Sequence, residues 1–190
     1  MILFITNNIW TEAFSTYLYG MQATELQDTF ILIAEDDADD RFLLQTAFEE
    51  NGFHDRLQFV ENGVEILEYL SAIKSVDEKS PNLPRFILLD LNMPKKDGRE
   101  VLKEIKQHPE FKKIPVVIFS TTNNEQEMLR CYELGANSYI TKPNSFEQLM
   151  EIVYNLRGYW MHTSQMPSWI AASYMVMQFL NGCYSTEKLQ

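Results

Sequence analysis

From residue 30 onward the chain alternates short, wholly apolar runs with longer amphipathic ones. "FILIA" (30–34) is apolar throughout and runs directly into "EDDADD". "DRFLLQTAFEENG" then places Phe42, Leu43, Thr46 and Ala47 at helical spacing, with Gly52 just past the end as a stop signal. "LQFV" (57–60) predicts a second strand, and "GVEILEYLSAI" (63–73) a helix through Val64, Leu67 and Leu70. A polar, proline-bearing loop, "KSVDEKSPNLPR", leads to the strand "FILL" (86–89). The helix "GREVLKEIKQH" (98–108) is stopped by Pro109, and the strand "PVVIF" (115–119) follows. "NEQEMLRCYELG" (124–135) is a helix ended by Gly135. "SYI" (138–140) is the fifth strand and "SFEQLMEIVYNLRGYW" (145–160) the last helix.

Five apolar strands thus alternate with five helices. Strands that are apolar at nearly every position are buried on both faces, which predicts a doubly wound α/β fold with a five-stranded parallel sheet. Such an open sheet places its site outside the carboxyl ends of the strands. The first strand ends in Glu35, Asp36 and Asp37, and the third in Asp90. The fourth ends in Ser120, Thr121 and Thr122, and the fifth in Thr141, Lys142 and Pro143.

Acids in "EDDADD" also suit a helix N-terminus, whose dipole favours them. As a set, however, all these residues fall on one sheet edge. Carboxylates gathered in one cleft repel and require a cation between them or a raised pKa. Hard oxygen ligands with room for water suit Mg²⁺. A carboxylate beside Mg²⁺ and a lysine is a nucleophile towards phosphorus, with Ser120 donating to a phosphoryl oxygen. The strand "FILL" therefore ends on a bare carboxylate, Asp90, because that carboxylate is the group to be phosphorylated.

Composition narrows the function classes. The 190 residues carry 16 Lys+Arg against 27 Asp+Glu, a formal charge of −11, which lacks the positive field needed for nucleic acid and is repelled by anionic membranes. Two distant cysteines, Cys131 and Cys183, give neither a disulfide framework nor a zinc pattern. "MILFITNNIW" has no basic region of a signal peptide, and "WIAASYMVMQFL" (169–180) is too short to span a bilayer, so a cytoplasmic location is expected. His54, His108 and His162 read as solvated surface residues, and Lys95 and Lys96 as a solvated loop.

The motifs "ILIAEDDADD", "FILLDLNMPKKDG", "PVVIFSTT" and "GANSYITKP", in this order, resemble the receiver domain of two-component response regulators. Asp90 and Ser120 lie 30 positions apart and Ser120 and Lys142 lie 22 apart, which agrees with that family. The resemblance covers residues 29–160 and implies a flavodoxin-like sheet of strand order 2-1-3-4-5. It implies Asp90 as phosphoacceptor and Asp36 as direct Mg²⁺ ligand. Glu35 would act on the metal through water, and Asn92 through its backbone carbonyl. Ser120 matches the Ser/Thr switch residue, Tyr139 the aromatic switch, and Lys142 the phosphate-pairing lysine. Pro143 matches a proline whose preceding peptide bond is usually cis in the family. Glu35 and Ser120 depart from the commoner Asp and Thr. The "NMPKKDG" loop and "YW" ending look most like small stand-alone receivers partnered with phytochrome-type kinases.

That resemblance implies a sensor histidine kinase or a histidine phosphotransfer protein as phosphoryl source. It also implies a downstream protein partner or a second copy of the chain, meeting the fourth helix, fifth strand and fifth helix. Residues 1–28 form an N-terminal extension in which Met21 is an alternative start. Residues 161–190 form a tail, with 168–182 read either as a packed helix or as a disordered end. With one basic residue, Lys188, that tail cannot hold a DNA-binding module. A haloacid-dehalogenase-like phosphatase is the main rival, opposed by Asn92 where a second Asp is expected and by the order of the motifs. An FMN binder is opposed by the acids after "FILIA". A non-phosphorylated docking module is the third reading.

Overall fold

A computed structural model describes residues 30–53, 57–76 and 83–165. The expectations for residues 1–28, Met21, His54, Cys183 and the 168–182 segment lie outside these described residues. Five strands, β1 (Ile31–Ala34), β2 (Leu57–Val60), β3 (Phe86–Leu89), β4 (Val116–Ser120) and β5 (Ser138–Thr141), form one parallel sheet in the order β2-β1-β3-β4-β5. Five helices alternate with them: α1 (Ala38–Glu50), α2 (Gly63–Val76), α3 (Gly98–Gln107), α4 (Glu125–Glu133) and α5 (Phe146–Arg157).

The period-two geometry of the strands sorts the core into two layers. Leu32, Ala34, Ile87, Leu89, Val116 and Ile118 face α2 and α3 through Ile66, Leu70, Val101, Leu102 and Ile105. Ile31, Ile33, Phe86, Leu88, Val117 and Phe119 face α1 and α5 through Leu44, Ala47, Phe48, Leu149 and Val153. The central strands β1, β3 and β4 are buried at every position. β2 and β5 lie at the sheet edges and are mostly half-buried, a departure from burial on both faces that follows from having only one neighbour strand.

Helix starts follow side-chain caps. Asp37 caps α1 by accepting from the amides of Asp39 and Asp40, so the helix begins two residues earlier than the apolar pattern shows. Asp97, Asn124 and Ser145 cap α3, α4 and α5 in the same way. Past α5 the chain continues through a wide π-type turn, Gly158–Thr163. Trp160 stacks on Phe86 there, and Arg85 donates to the carbonyls of Trp160 (2.7 Å) and Ser164 (2.8 Å), so packing onto the sheet continues beyond residue 160.

His108 corrects the solvated reading. It is half-buried and stacked on Phe111, and its Nδ1 accepts from the amides of Glu110 and Phe111, both at 3.2 Å. Its place at the end of α3, where the chain turns back, supplies those amides. Lys95 is solvent-exposed beside Glu65, while Lys96 pairs with Glu104 at 2.6 Å.

The loop after β3 is held by backbone contact. A Cβ on Gly98 would lie 2.1 Å from the carbonyl oxygen of Asp90 and 2.7 Å from the Cα of Leu91. Gly98 N–H also donates to the carbonyl of Leu91 at 2.8 Å. Gly98→Ala should therefore lower stability by about 2–3 kcal/mol, as overpacking against backbone does. Urea unfolding checks this, and an unchanged midpoint would contradict the close approach.

Candidate functional site

Parallel register brings the strand ends together. Ala34 aligns with Leu89, so Glu35 lies beside Asp90, and Asp90 N–H donates to the carbonyl of Ala34 at 3.0 Å. Ser120 aligns with Thr141, and Lys142 N–H donates to the carbonyl of Ser120 at 2.9 Å. Asp36, Glu35, Asp90, Ser120 and Lys142 thus share the carboxyl edge of β1, β3, β4 and β5.

Carboxylate oxygens of Glu35, Asp36 and Asp90 all lie within 4.8 Å of one another. Glu35 and Asp90 are buried and Asp36 is exposed, so the cluster opens to solvent on one side. Asp90 Oδ1 accepts from the amides of Leu91 (2.6 Å) and Asn92 (3.4 Å), which fixes the carboxylate against its own loop. Asn92 is exposed beside it. Three acids this close, two of them paired with one lysine, are a donor set of hard oxygens that fits a divalent cation.

Lys142 Nζ lies 2.7 Å from Glu35 Oε2, 2.7 Å from Asp40 Oδ2 and 3.4 Å from Asp90 Oδ2. Burial alone would push its pKa down, but the bonds to Asp40 and Glu35 and the Asp90 charge reverse this, and it is raised above the ordinary lysine value. Burial pushes the Glu35 carboxyl up to about 7, opposed by Lys142 and reinforced by Asp90. The two directions pull against each other within one ion pair. The charged lysine is the firmer of the two, because three acids surround it while a single cation serves Glu35.

A pH effect follows. A cation entering this cluster competes with the proton on Glu35, so binding releases it. Mg²⁺ affinity should fall about tenfold between pH 8 and pH 6 for a group titrating near 7. Calorimetric titration at the two values checks this, and a flat profile would leave Glu35 outside the metal's reach.

Ser120 is fully buried, and its Oγ accepts from the amide of Thr122 at 3.3 Å. Tyr139 is half-buried, and its hydroxyl donates to the carbonyl of Thr122 at 2.9 Å, so the serine and the aromatic ring are tied to one loop. Thr121 is exposed. Among the described residues no cis peptide bond occurs, so the bond preceding Pro143 is trans, contrary to the family expectation. Trans is the locally favoured X–Pro isomer by about 0.5–1 kcal/mol, and the contacts of Lys142 form with it.

Two residues of this edge escape the sequence reading. Asp40, in the first turn of α1, reaches Lys142. Arg41 donates to the carbonyls of Glu35 (2.9 Å) and Asp36 (2.8 Å) and pairs with Glu61 at 3.0 Å, holding the backbone of the acidic pair. The only signal for either was the run "EDDADDR", which gives charge without direction.

The family model for the response regulator receiver domain matches residues 31–154. The chain belongs to the response regulator receiver family. It is 39% identical over 138 residues to response regulator Rcp1 of Synechocystis sp., covering 73% of this chain and 92% of that protein. The crystal structure of the Mn²⁺-bound form of Rcp1 superposes with a TM-score of 0.64, covering 73% of this chain and 99% of that one. The crystal structure of the phosphorylated cyanobacterial phytochrome response regulator RcpA, at 40% identity, gives 0.66 and covers 74% and 99%. The receiver is thus a two-component signalling domain with the expected strand order, similar to small receivers of phytochrome systems. No helix among its described residues is long and apolar enough to cross a membrane.

Proposed function

We propose that the receiver accepts a phosphoryl group on Asp90 from a histidine kinase or histidine phosphotransfer protein, and passes the signal on through protein contact. The carrying observation is the placement of Asp90. It is buried at the sheet edge, 3.4 Å from the Lys142 ammonium and within 4.8 Å of two further carboxylates. Asp36, Asp90 and the backbone carbonyl of Asn92 would hold Mg²⁺ directly, with Glu35 acting through water. When bound, the metal supplies positive charge against the phosphoryl oxygens.

The remaining chemistry belongs to the chain. An Asp90 carboxylate oxygen bonds to phosphorus while the P–N bond of the donor phosphohistidine breaks, and the imidazole leaves with its electron pair and takes a proton. Lys142 and the Ser120 hydroxyl bind phosphoryl oxygens as charge develops. Water later reverses the modification, so the protein catalyses only its own phosphorylation and dephosphorylation.

The response is a shift between two states. Ser120 turning to a phosphoryl oxygen releases Thr122 N–H from its Oγ, and Tyr139, bonded to the carbonyl of the same Thr122, follows. Pro143 fixes the backbone behind Lys142. Leu129 and Tyr132 on α4 and Tyr154 on α5 are exposed, which supports this face as the contact for a downstream protein or a second copy of the chain. A phytochrome-type kinase as donor is supported by the likeness to RcpA.

Intact-mass analysis after incubation with Mg²⁺ and acetyl phosphate tests the reading, with the adduct located by borohydride reduction. A single Mg²⁺-dependent phosphoryl group on Asp90 is expected. No adduct, an adduct elsewhere, or steady turnover of a phosphomonoester would overturn it.

A further inference from the structure

Asp40 is the third residue of α1, and its position is fixed from behind by its own amide, which donates to Asp37 Oδ1 at 3.0 Å. An acid at this place in a helix commonly returns to the amide of the capping residue. Here the Asp37 amide is instead directed at Glu35 Oε1, 3.3 Å away. The Asp40 carboxylate is left to cross to Lys142 Nζ at 2.7 Å, linking α1 to the end of β5.

An ammonium has three N–H donors. Those of Lys142 face Glu35 and Asp40 at 2.7 Å each and Asp90 at 3.4 Å. The acceptor holds the longest contact, and two short charge-assisted bonds already engage the lysine. The two short partners differ in what release would cost. The Glu35 side chain is 2% exposed, so losing the lysine would strand it away from water. The Asp40 side chain is 38% exposed and can be rehydrated.

We infer that Asp40 is a positioning residue that holds Lys142 in the unphosphorylated site and is the partner displaced when a phosphoryl group takes the lysine, so that it restrains phosphoryl uptake. The inference rests on the reading of Asp90 and Lys142 given above. No hydrogen bond or ion pair joins Asp40 to Asp90, and its side-chain partner is Lys142. It acts through the lysine, and its carboxylate competes with the incoming phosphoryl oxygens for one ammonium.

Phosphorylation by acetyl phosphate in Mg²⁺, followed by intact mass across donor concentrations, tests this on the full chain. Asp40→Asn should take up phosphoryl groups about five-fold faster at sub-saturating donor, as expected for freeing one partly exposed ion pair. The gain should appear as a lower half-saturating donor concentration with little change in the maximal rate, a split that a merely structural role would not give. Asp40→Glu, which keeps the charge, should return the rate towards the unaltered protein. Asp39→Asn removes the same charge one residue away without a lysine contact, and should stay within about two-fold. Asp40→Asn labelling at an equal or slower rate, or Asp39→Asn matching its gain, would overturn the inference while leaving Asp90 as acceptor. An unaltered protein that takes up no phosphoryl group would remove both readings together.

Discussion

Asp90→Asn is expected to abolish phosphoryl uptake and, in the absence of divalent cations, to make the protein more stable. Loss of uptake follows from the chemistry, since an amide is no nucleophile towards phosphorus at neutral pH. The gain in stability follows from charge. Carboxylate oxygens of Glu35, Asp36 and Asp90 sit within 4.8 Å of one another, and two of these acids are buried. Like charges at that separation repel by a few kcal/mol at the effective dielectric of protein sites. The change gives up one attraction, to Lys142 at 3.4 Å, but relieves two repulsions, from Glu35 and Asp36. Asparagine keeps a carbonyl oxygen for the amide of Leu91, which Asp90 Oδ1 serves now. A net gain of about 1–2 kcal/mol, a few degrees in Tm, is expected. Added Mg²⁺ should stabilise the unaltered protein and leave the variant nearly unmoved, because a cation that binds only the folded state stabilises it by mass action. Thermal unfolding with and without Mg²⁺ checks all of this. A variant less stable than its parent without metal would mean that Asp90 is held by attraction rather than crowded by repulsion.

That Asp90 meets other carboxylates was legible from the strand ends alone. "FILIA" and "FILL" are apolar at every position because β1 and β3 are central and buried on both faces. Once two such runs are parallel and adjacent, the residues that follow them, Glu35 and Asp90, must lie side by side. Lys142 and Ser120 were legible for the same reason, as residues at the ends of adjoining strands. Asp40 and Arg41 were not. Each sits in the first turn of α1, where an acid or a base is ordinarily explained by the helix end itself, and the partner of Asp40 is 102 positions away. Direction on a helix depends on where the cap places the first turn, and that was set by Asp37 rather than by the apolar pattern. Burial of His108 was hidden similarly, because its turn brings Phe111 beneath it only after Pro109 has stopped α3.

Lys142→Met is expected to be the more damaging change, and its damage should depend on pH in a particular sense. Methionine fills the volume of the lysine stem but leaves Glu35 Oε2 and Asp40 Oδ2 without the cation that each now meets at 2.7 Å. Removing one member of a buried pair costs about 3–5 kcal/mol. Asp40 escapes most of that by facing water, whereas Glu35 cannot, so the loss concentrates on one carboxyl. Glu35 already titrates near 7, raised by burial and restrained by Lys142, and without the lysine it must rise further. A carboxyl whose folded pKa lies above its unfolded value binds more protons in the folded state. Its contribution to stability is therefore most favourable below the unfolded value, near 4.5, and falls as pH rises through the folded one. The variant should be destabilised by about 3 kcal/mol at pH 8 and recover much of that by pH 5.5, where Glu35 is neutral. Uptake of phosphoryl groups should fall about a hundredfold or more at every pH, since the change removes the charge proposed to meet the phosphoryl oxygens. Urea unfolding across that pH range, with phosphorylation rates measured alongside, separates the two effects. A stability loss that does not shrink towards pH 5.5 would place the buried charge elsewhere than on Glu35. A normal phosphorylation rate would show that Lys142 anchors the acids of the site without serving the phosphoryl group.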